Sequence, residues 1–325
     1  MVEISVNKSV QPLVSAVLNN ADTLGVQVVK QSNGATIVDG SRGSYEFGRL
    51  LGEICMGGLG LVQFTPIQVG SLQLPGVQVA TSHPIIACLG SQYAGWNVKL
   101  KKEGEKKPLF SCMSSGPARA LARVEKELYE DINYADNSET AAIVFETALL
   151  PPEEAMDDVA EKCGVSPENL VAFCAPTASI PGSVQIAARI VETSIHKLHE
   201  LHLNLEYIKL GYGTTTIAPV AKNDMVAMGR TNDSLIAGGR VLLTIDVPKE
   251  EEEEIKDLLS KAPSNTSPSY GKPFYETFKS VEFDFYKIDK GMFAPAVITM
   301  NNMKTGNVFS AGEVNEDLLK ESYGL

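Results

Sequence analysis

The sequence predicts an α+β or mixed α/β protein with mixed sheets. Helical and strand-like apolar patterns are interspersed along the 325 residues, as expected for sheets covered by helices. Asn33-Gly34 lies between two short apolar runs, which predicts an antiparallel hairpin and argues against a purely parallel, doubly wound sheet. The length suits two lobes, or one large domain with an embedded site. We divide the chain into a first α/β lobe at 1–175 and a second at 176–325, with interleaving left open.

The strand candidates are short runs of apolar or alternating residues. They cover residues 26–29, 35–38, 61–67, 77–80, 141–145, 170–173, 208–212, 241–245 and 296–299. The helix candidates have apolar residues at three- and four-residue spacing, and two show clear end signals. They cover residues 5–18, 45–55, 118–131, 152–163, 179–199, 249–259 and 316–322. Gly164 is placed to end one of them, and the acidic run 250–254 suits the first turn of another.

Charge and cysteine usage exclude several classes of protein. With 28 basic and 40 acidic residues the net charge is −12, whereas sequence-independent binding of nucleic acid needs a basic face. The five cysteines are odd in number, far apart and without a Cys-x-x-Cys pair, which predicts a reduced, cytoplasmic protein. No signal-peptide pattern opens the chain and no run approaches the ~18 apolar residues of a membrane span, so we expect no membrane association.

The segment 179–199 carries the most informative side chains. Its opening residues have the character of a helix start, and Arg189 and Glu192 follow three residues apart. As one helix it would present a polar stripe beside an apolar one. That stripe contains Gln185, Arg189, Glu192, His196 and His199. Burial would raise the pKa of Glu192 and the guanidinium would lower it, so the carboxylate is a candidate general base; the alternative is an ordinary surface salt bridge.

Metal, nucleophile and nucleotide signatures are weak. His196, His199 and His202 fan across about 120° of a helix, whereas a zinc helix pairs histidines at i and i+4, so no metal site is expected. There is no Gly-x-Ser-x-Gly elbow. Residues 57–60 and 238–239 are glycine-rich but lack the lysine and hydroxyl residue of a P-loop.

Three further segments could contact a ligand. Residues 114–119 precede a helix, and Ser115 could cap the start of that helix. Arg119 could help the free main-chain amides there to hold an anion. The alternative is an ordinary helix cap without a ligand. Residues 229–234 form either a polar loop or a ligand-contacting rim. Residues 92–99 combine two aromatic residues with an alternating strand that points Lys99 and Lys101 to one face. An aromatic residue with a cation suits a flat heterocycle with anionic groups.

Together these segments resemble the methenyltetrahydromethanopterin cyclohydrolase family over the whole length. The matching stretches are 115–121, 175–186, Arg189 with Glu192, 211–219 and 229–233. Their order and spacing are specific, although no single motif is diagnostic. Pro181, where a small residue is expected, departs from the pattern but leaves the Arg–Glu spacing intact.

The resemblance implies a reversible hydrolysis of the methenyl cation of tetrahydromethanopterin to its 5-formyl derivative, without metal or redox cofactor. It also implies a two-lobed subunit with the pterin in a cleft between the lobes, and a homotrimer. On this view Glu192 is the general base, Arg189 positions it and tunes its pKa, and Lys99 is a further polar contact. The predicted substrate-binding residues are Gln92, Tyr93, Ser115, Gly116, Arg119, Gln185, Thr231, Asn232 and Asp233. The lysines that could attract an anionic tail are Lys99, Lys101, Lys102, Lys106 and Lys107.

The residues also allow two rival functions. A non-catalytic module that binds a pterin or a nucleotide would use the helix start at 115–119 and keep the Arg–Glu pair for structure. A nucleotide-dependent transferase is disfavoured because the sequence lacks a P-loop and paired metal carboxylates.

Overall fold

A computed structural model describes residues 4–101, 108–283 and 287–325. The chain divides into two compact units. The first contains Met1–Gly60 and Ile86–Gln185, and the second contains Leu61–Ile85 and Ile186–Leu325. Each unit holds one six-stranded mixed sheet, which confirms the predicted mixed α/β class.

The strands include all nine of the predicted ones. They are β1 (Gln27–Lys30), β2 (Thr36–Asp39), β3 (Gly60–Val69), β4 (Leu72–Thr81), β5 (Trp96–Leu100), β6 (Phe110–Ser115), β7 (Ala141–Phe145), β8 (Leu170–Cys174), β9 (Ile208–Thr216), β10 (Arg240–Ile245), β11 (Val297–Asn302) and β12 (Val308–Gly312). Of the other three strands, β5 matches the alternating stretch that carries Lys99 and Lys101, whereas β6 and β12 were not predicted.

The α-helices are shorter and more numerous than predicted. They are α1 (Val6–Ser9), α2 (Gln11–Asn19), α3 (Ala21–Leu24), α4 (Tyr45–Cys55), α5 (Ala118–Ala122), α6 (Lys126–Asp131), α7 (Glu153–Cys163), α8 (Ile180–Ala187), α9 (Ile190–Glu200), α10 (Asp224–Gly238), α11 (Glu252–Leu259), α12 (Phe274–Ser280) and α13 (Glu316–Tyr323). Ile85–Gln92 forms a π-helix. Pro12 lies in the first turn of α2, where its missing amide costs nothing, and the helix predicted over 5–18 is divided there.

The sheet of the first unit has the order β1-β2-β8-β7-β6-β5. The pairs β2–β8 and β8–β7 are parallel, and the other three are antiparallel. The predicted hairpin at Asn33-Gly34 is confirmed by the β1–β2 pair, and Gly34 has the positive φ of 93° that this turn requires.

Alternate residues of this sheet pack on opposite layers of helices, as the two-residue period of a strand demands. Val38, Val144 and Phe173 face α2 and α4. Ile37, Ile143 and other residues of the opposite parity face α7. A sheet covered on both faces explains why every residue of β7 is buried.

The sheet of the second unit has the order β12-β11-β10-β9-β4-β3. The β10–β11 pair is parallel, whereas β9 is antiparallel to both β10 and β4. Its core includes apolar residues of α10 and α13, and a second cluster gathers around Phe274 and Phe278 of α12.

Candidate active site

A tight turn at Ser179 begins α8. The Ser179 hydroxyl accepts a hydrogen bond from the Gly182 amide at 3.0 Å and donates one to the Pro176 carbonyl at 2.6 Å. A Cβ atom at Gly182 would lie 2.1 Å from the Pro176 oxygen, so no larger residue fits without a shift of the main chain. The predicted helix start is confirmed, and Ser179 satisfies one of the amides that a first turn leaves without a partner.

The single helix predicted over 179–199 is wrong. The chain leaves α8 after Ala187, and Arg189 is the N-cap residue of α9. Val184 of α8 approaches Gly48 in the first unit so closely that a Cβ there would lie 2.8 Å away, whereas α9 packs on β9 in the second unit. Because the break interrupts the rotation of about 100° per residue, the polar stripe predicted for residues 185–199 does not belong to one continuous helix.

Arg189 and Glu192 form an ion pair. Nε and Nη2 of Arg189 both lie 3.0 Å from Oε2 of Glu192. Glu192 is 3% exposed, so its carboxylate has lost most of its water and depends on protein partners. In place of the surface salt bridge that the spacing alone allowed, the buried Glu192 forms a charge-assisted pair with the partly exposed Arg189.

The opposite face of α9 packs against two glycines of β9. A Cβ atom at Gly211 would lie 2.6 Å from Val191, and one at Gly213 would lie 3.0 Å from Ile190. Both apolar side chains are fully buried. The glycines at 211 and 213 therefore let the helix that carries Glu192 lie directly on the sheet.

His196 lies one helical turn after Glu192, on the same face of α9. Burial lowers the pKa of His196, while the carboxylates of Glu192 and Glu200 oppose that shift. The imidazole is therefore mainly neutral at pH 7. His202 lies beyond the end of α9, with φ of 61°. Within the described residues, no group of three or more histidine, cysteine, aspartate or glutamate side chains could hold a metal ion.

In the first unit, the buried Ser91 connects the predicted segment 114–119 to the end of α4. The Ser91 carbonyl accepts hydrogen bonds from the Gly116 amide at 2.9 Å and from Arg119 Nη1 at 3.1 Å. The Ser91 hydroxyl donates to the Cys55 carbonyl at 2.6 Å. Gln92, the next residue, is fully buried.

Cys55 extends this cluster. Its Sγ lies 3.4 Å from Ser115 Oγ and contacts Gln185 Oε1 at 4.0 Å. The structure thus brings together predicted site residues from segments that are distant in sequence: Gln92, Ser115, Gly116, Arg119 and Gln185. The expected N-cap role of Ser115 is wrong, because Pro117 occupies that position in α5 without a side-chain cap.

Arg119 is fully buried. Its guanidinium makes four hydrogen bonds, two to Glu125 Oε1 and one each to the carbonyls of Leu89 and Ser91. Four of its five N–H donors are therefore used within the protein. This arrangement favours a structural role over the direct capture of a substrate anion.

The helix predicted over 118–131 is interrupted at Arg123, which has φ of 45°. In a continuous helix Arg119 and Glu125 would point about 120° apart. The reversal at Arg123 brings them together, and this is why the sequence pattern missed Glu125 as a partner.

Lys99 lies on β5 opposite Ser111, and its side chain is exposed, as is that of Lys101. Neither has a described ion pair that ties it to the buried cluster around Ser91. Lys102, Lys106 and Lys107 lie outside the described residues.

Residues 229–234 are not a loop, and that alternative is wrong: they lie within α10. Thr231 Oγ1 donates to the Ala227 carbonyl at 2.9 Å, and Asn232 Nδ2 donates to the Met228 carbonyl at 2.8 Å. The polar side chains that suggested a turn thus bond back to their own helix. Asp233 points inward and accepts the Phe274 amide at the start of α12.

Three residues of the site region escaped prediction: Cys55, Ser91 and Glu125. Cys55 and Ser91 lie on helices whose sequence patterns indicate only packing, and their polar contacts come from distant segments. All five cysteines are free and buried. Among the described residues, no helix is long and apolar enough to cross a bilayer.

Comparison with known proteins identifies the family. A sequence model of the family described as cyclohydrolase (MCH) matches residues 5–323. The chain is 42% identical over 325 residues to the methenyltetrahydromethanopterin cyclohydrolase of Methanosarcina mazei, with 99% of each chain covered. It is 42% identical over 327 residues to that of Methanocaldococcus jannaschii, covering 99% of this chain and 98% of the other. It is 44% identical over 325 residues to that of Methanococcus vannielii, covering 98% of each.

These matches define the class of protein as a cyclohydrolase, an enzyme that hydrolyses a C–N bond of a cyclic amidine. The chain belongs to the methenyltetrahydromethanopterin cyclohydrolase family. The resemblance derived from the motifs is confirmed, and the alternative of a non-catalytic binding module loses its support.

Proposed function

We propose that this protein interconverts 5,10-methenyltetrahydromethanopterin plus water and 5-formyltetrahydromethanopterin in the one-carbon metabolism of methanogenesis. Membership of the family and full-length similarity to cyclohydrolases of three methanogens support this activity. The ion pair between the buried Glu192 and Arg189 is the structural observation that carries the mechanism.

The chemistry requires a base and an anionic group. The methenyl carbon bridges N5 and N10 and carries cationic character, so water attacks it readily once a base removes a proton. Glu192 accepts that proton as the C–O bond forms. The C–N10 bond then breaks, N10 receives the remaining hydroxyl proton, and the formyl group stays on N5. The carboxylate also stabilises the cationic substrate, which is worth most where water is excluded.

Arg189 has the role of a positioning residue in this scheme. Its two donors converge on a single carboxylate oxygen, Oε2. This holds the orientation of Glu192 against rotation about its side-chain bonds. Burial makes the pair costly to break, because removing the cation leaves a desolvated carboxylate.

Loss of the near-ultraviolet absorbance of the methenyl cation provides the assay, without added metal or nucleotide. Glu192→Gln keeps the size of the side chain and one acceptor oxygen but removes the base, so kcat should fall by about 10²- to 10⁴-fold with KM changed little. Glu200→Gln, an exposed carboxylate on the same helix, is the matched control and should keep kcat. Near-normal turnover of Glu192→Gln would refute the assignment of the base.

Arg189→Lys separates positioning from charge. Lysine keeps the positive charge but replaces the planar pair of donors with one nitrogen. We expect kcat to fall by about tenfold, less than for Glu192→Gln, with an altered acid limb of the pH–rate profile. An unchanged profile and an unchanged kcat would show that Arg189 does not act through Glu192.

We further propose that the buried cluster around Ser91 in the first unit contacts the pterin. This proposal is supported by four predicted substrate-binding residues that cluster around Ser91 and Cys55: Gln92, Ser115, Gly116 and Gln185. Gln92→Ala should raise KM more than it lowers kcat.

We also propose that the protein assembles as a homotrimer. Light scattering coupled to size-exclusion chromatography tests the assembly, since a trimer of 34.9 kDa chains is readily distinguished from a monomer or a dimer.

A further inference from the structure

The end of the π-helix Ile85–Gln92 directly precedes Tyr93. Hydrogen bonds in a π-helix join residues five apart, so the last five carbonyls have no partner inside the helix. The Tyr93 amide satisfies the Cys88 carbonyl at 2.8 Å. The three carbonyls that follow must find their partners elsewhere, because an unsatisfied buried carbonyl is costly.

Arg119 and its neighbours supply those partners. Nη1 of Arg119 donates to the carbonyls of Leu89 and Ser91, at 3.1 Å each. The Tyr129 hydroxyl donates to the Gly90 carbonyl at 2.9 Å. A cation at this end also suits the negative pole of the helix dipole.

Glu125 and Tyr93 complete the arrangement. Nε and Nη2 of Arg119 donate to Glu125 Oε1 at 2.8 and 2.6 Å, and the guanidinium carbon lies 5.2 Å from the centre of the Tyr93 ring. A Cβ atom at Gly95 would lie 2.6 Å from that ring and 2.2 Å from Glu125 Oε1. One buried cation therefore contacts both the main chain before Gln92 and the ring that follows it.

We propose that Arg119 is a positioning residue for substrate recognition. By binding the carbonyls of Leu89 and Ser91 and contacting the Tyr93 ring, it holds Gln92 and Tyr93 in the conformation that binds the pterin. This inference rests on the proposed function, in which those two residues contact the substrate. It replaces the expectation that Arg119 itself binds a substrate anion.

Arg119→Lys provides the first test. The single nitrogen of lysine cannot reach both carbonyls and Glu125 with the geometry of the guanidinium. We expect KM for the methenyl substrate to rise about tenfold and kcat to stay within about twofold. This pattern is expected when the lost interaction stabilises the bound substrate and the transition state equally. Ser264→Ala is the control for stability: it removes a buried hydrogen bond to the Ile236 carbonyl in the second unit and should lower the melting temperature with a normal KM.

Tyr129→Phe provides an independent test should Arg119→Lys fail to fold. It removes only the hydroxyl that binds the Gly90 carbonyl, and KM should rise about threefold. Melting temperatures are measured for every variant. A lowered melting temperature with unchanged KM in the Arg119 and Tyr129 variants would overturn the proposal.

A double-mutant cycle with Tyr93→Leu identifies the route of the effect. If Arg119 acts through this segment, the fold increase in KM of the double variant should be far smaller than the product of the fold increases of the two single variants. If the two fold increases in KM multiply, Arg119 acts separately from Tyr93, and the positioning role is overturned. If Tyr93→Leu and Gln92→Ala both leave KM unchanged, the assignment of these residues as substrate contacts fails, and that result is distinct from a failure of Arg119 alone.

Discussion

Asp233 offers the sharpest test of whether a predicted substrate-binding residue is structural. Its side chain is fully buried in the second unit. Its carboxylate accepts the Phe274 amide at 3.0 and 3.1 Å and the Ser322 hydroxyl at 2.6 Å. It therefore joins α10 to the start of α12 and to α13. Burial raises the pKa of Asp233 from its ordinary value of 3.8 to about 7, although the hydrogen bonds from Ser322 and Phe274 oppose the shift.

The direction of the pH dependence follows from proton binding. Between about pH 4 and pH 7 the folded protein holds a proton at Asp233 that the unfolded chain has released. The stability from that proton is complete below pH 4 and is lost as the pH rises through 7. Each pH unit in this interval costs about 1.4 kcal/mol, so the interval of about three units costs roughly 4 kcal/mol.

Asp233→Asn cannot titrate and should remove this dependence. Between pH 5 and pH 8 the wild-type protein should lose roughly 3 kcal/mol of unfolding free energy relative to the variant. Denaturant unfolding at several pH values, followed by circular dichroism, measures the difference, and Asp224→Asn, exposed on the same helix, is the control. Parallel pH dependence of wild type and Asp233→Asn would refute the buried, protonated carboxylate. A raised KM with parallel dependence would instead restore Asp233 as a substrate contact.

Two further predictions concern the packing of the second unit. Gly211→Ala places a methyl group 2.6 Å from Val191. It should destabilise the protein by about 1–3 kcal/mol and lower kcat by displacing α9. Adding Val191→Ala should partly restore both stability and kcat, and no restoration would contradict direct steric contact. Tyr323→Phe removes a buried hydroxyl that contacts Thr216 at 2.7 Å and Ser234 at 2.6 Å. It should cost about 1–3 kcal/mol in denaturant unfolding with kcat and KM unchanged, and altered kinetics would show that this network reaches the site.

Local patterns were sufficient where a segment shows a clear apolar period or a continuous apolar run with clear ends. The helix α4 and the strand β7 have the predicted bounds, 45–55 and 141–145. The α7 helix ends at Gly164, whose φ of 67° is the left-handed conformation expected of a glycine cap. In these segments propensity, periodicity and end signals agree.

Local patterns failed where distant partners satisfy polar groups. Residues 229–234 have the composition of a turn, yet they are helical because their side chains bond back to the helix and Asp233 binds α12. The π-helix was not predicted, and its terminal carbonyls depend on Arg119 and Tyr129, about 30 to 40 residues away. The break between α8 and α9 lies close to the point where the chain passes from one unit to the other.

The fold class, the family and the three-residue spacing of Arg189 and Glu192 can be read from the chain alone, because periodicity, turn chemistry and the order of the motifs are written in the residues themselves. The folded protein adds that Glu192 is buried against Arg189, that Arg119 binds main-chain carbonyls and that Asp233 joins three helices. These features could not be predicted because burial and hydrogen-bond partners depend on which distant segments meet. The same arginine or aspartate can serve a ligand or the protein interior, and its partners in the folded chain distinguish the two roles.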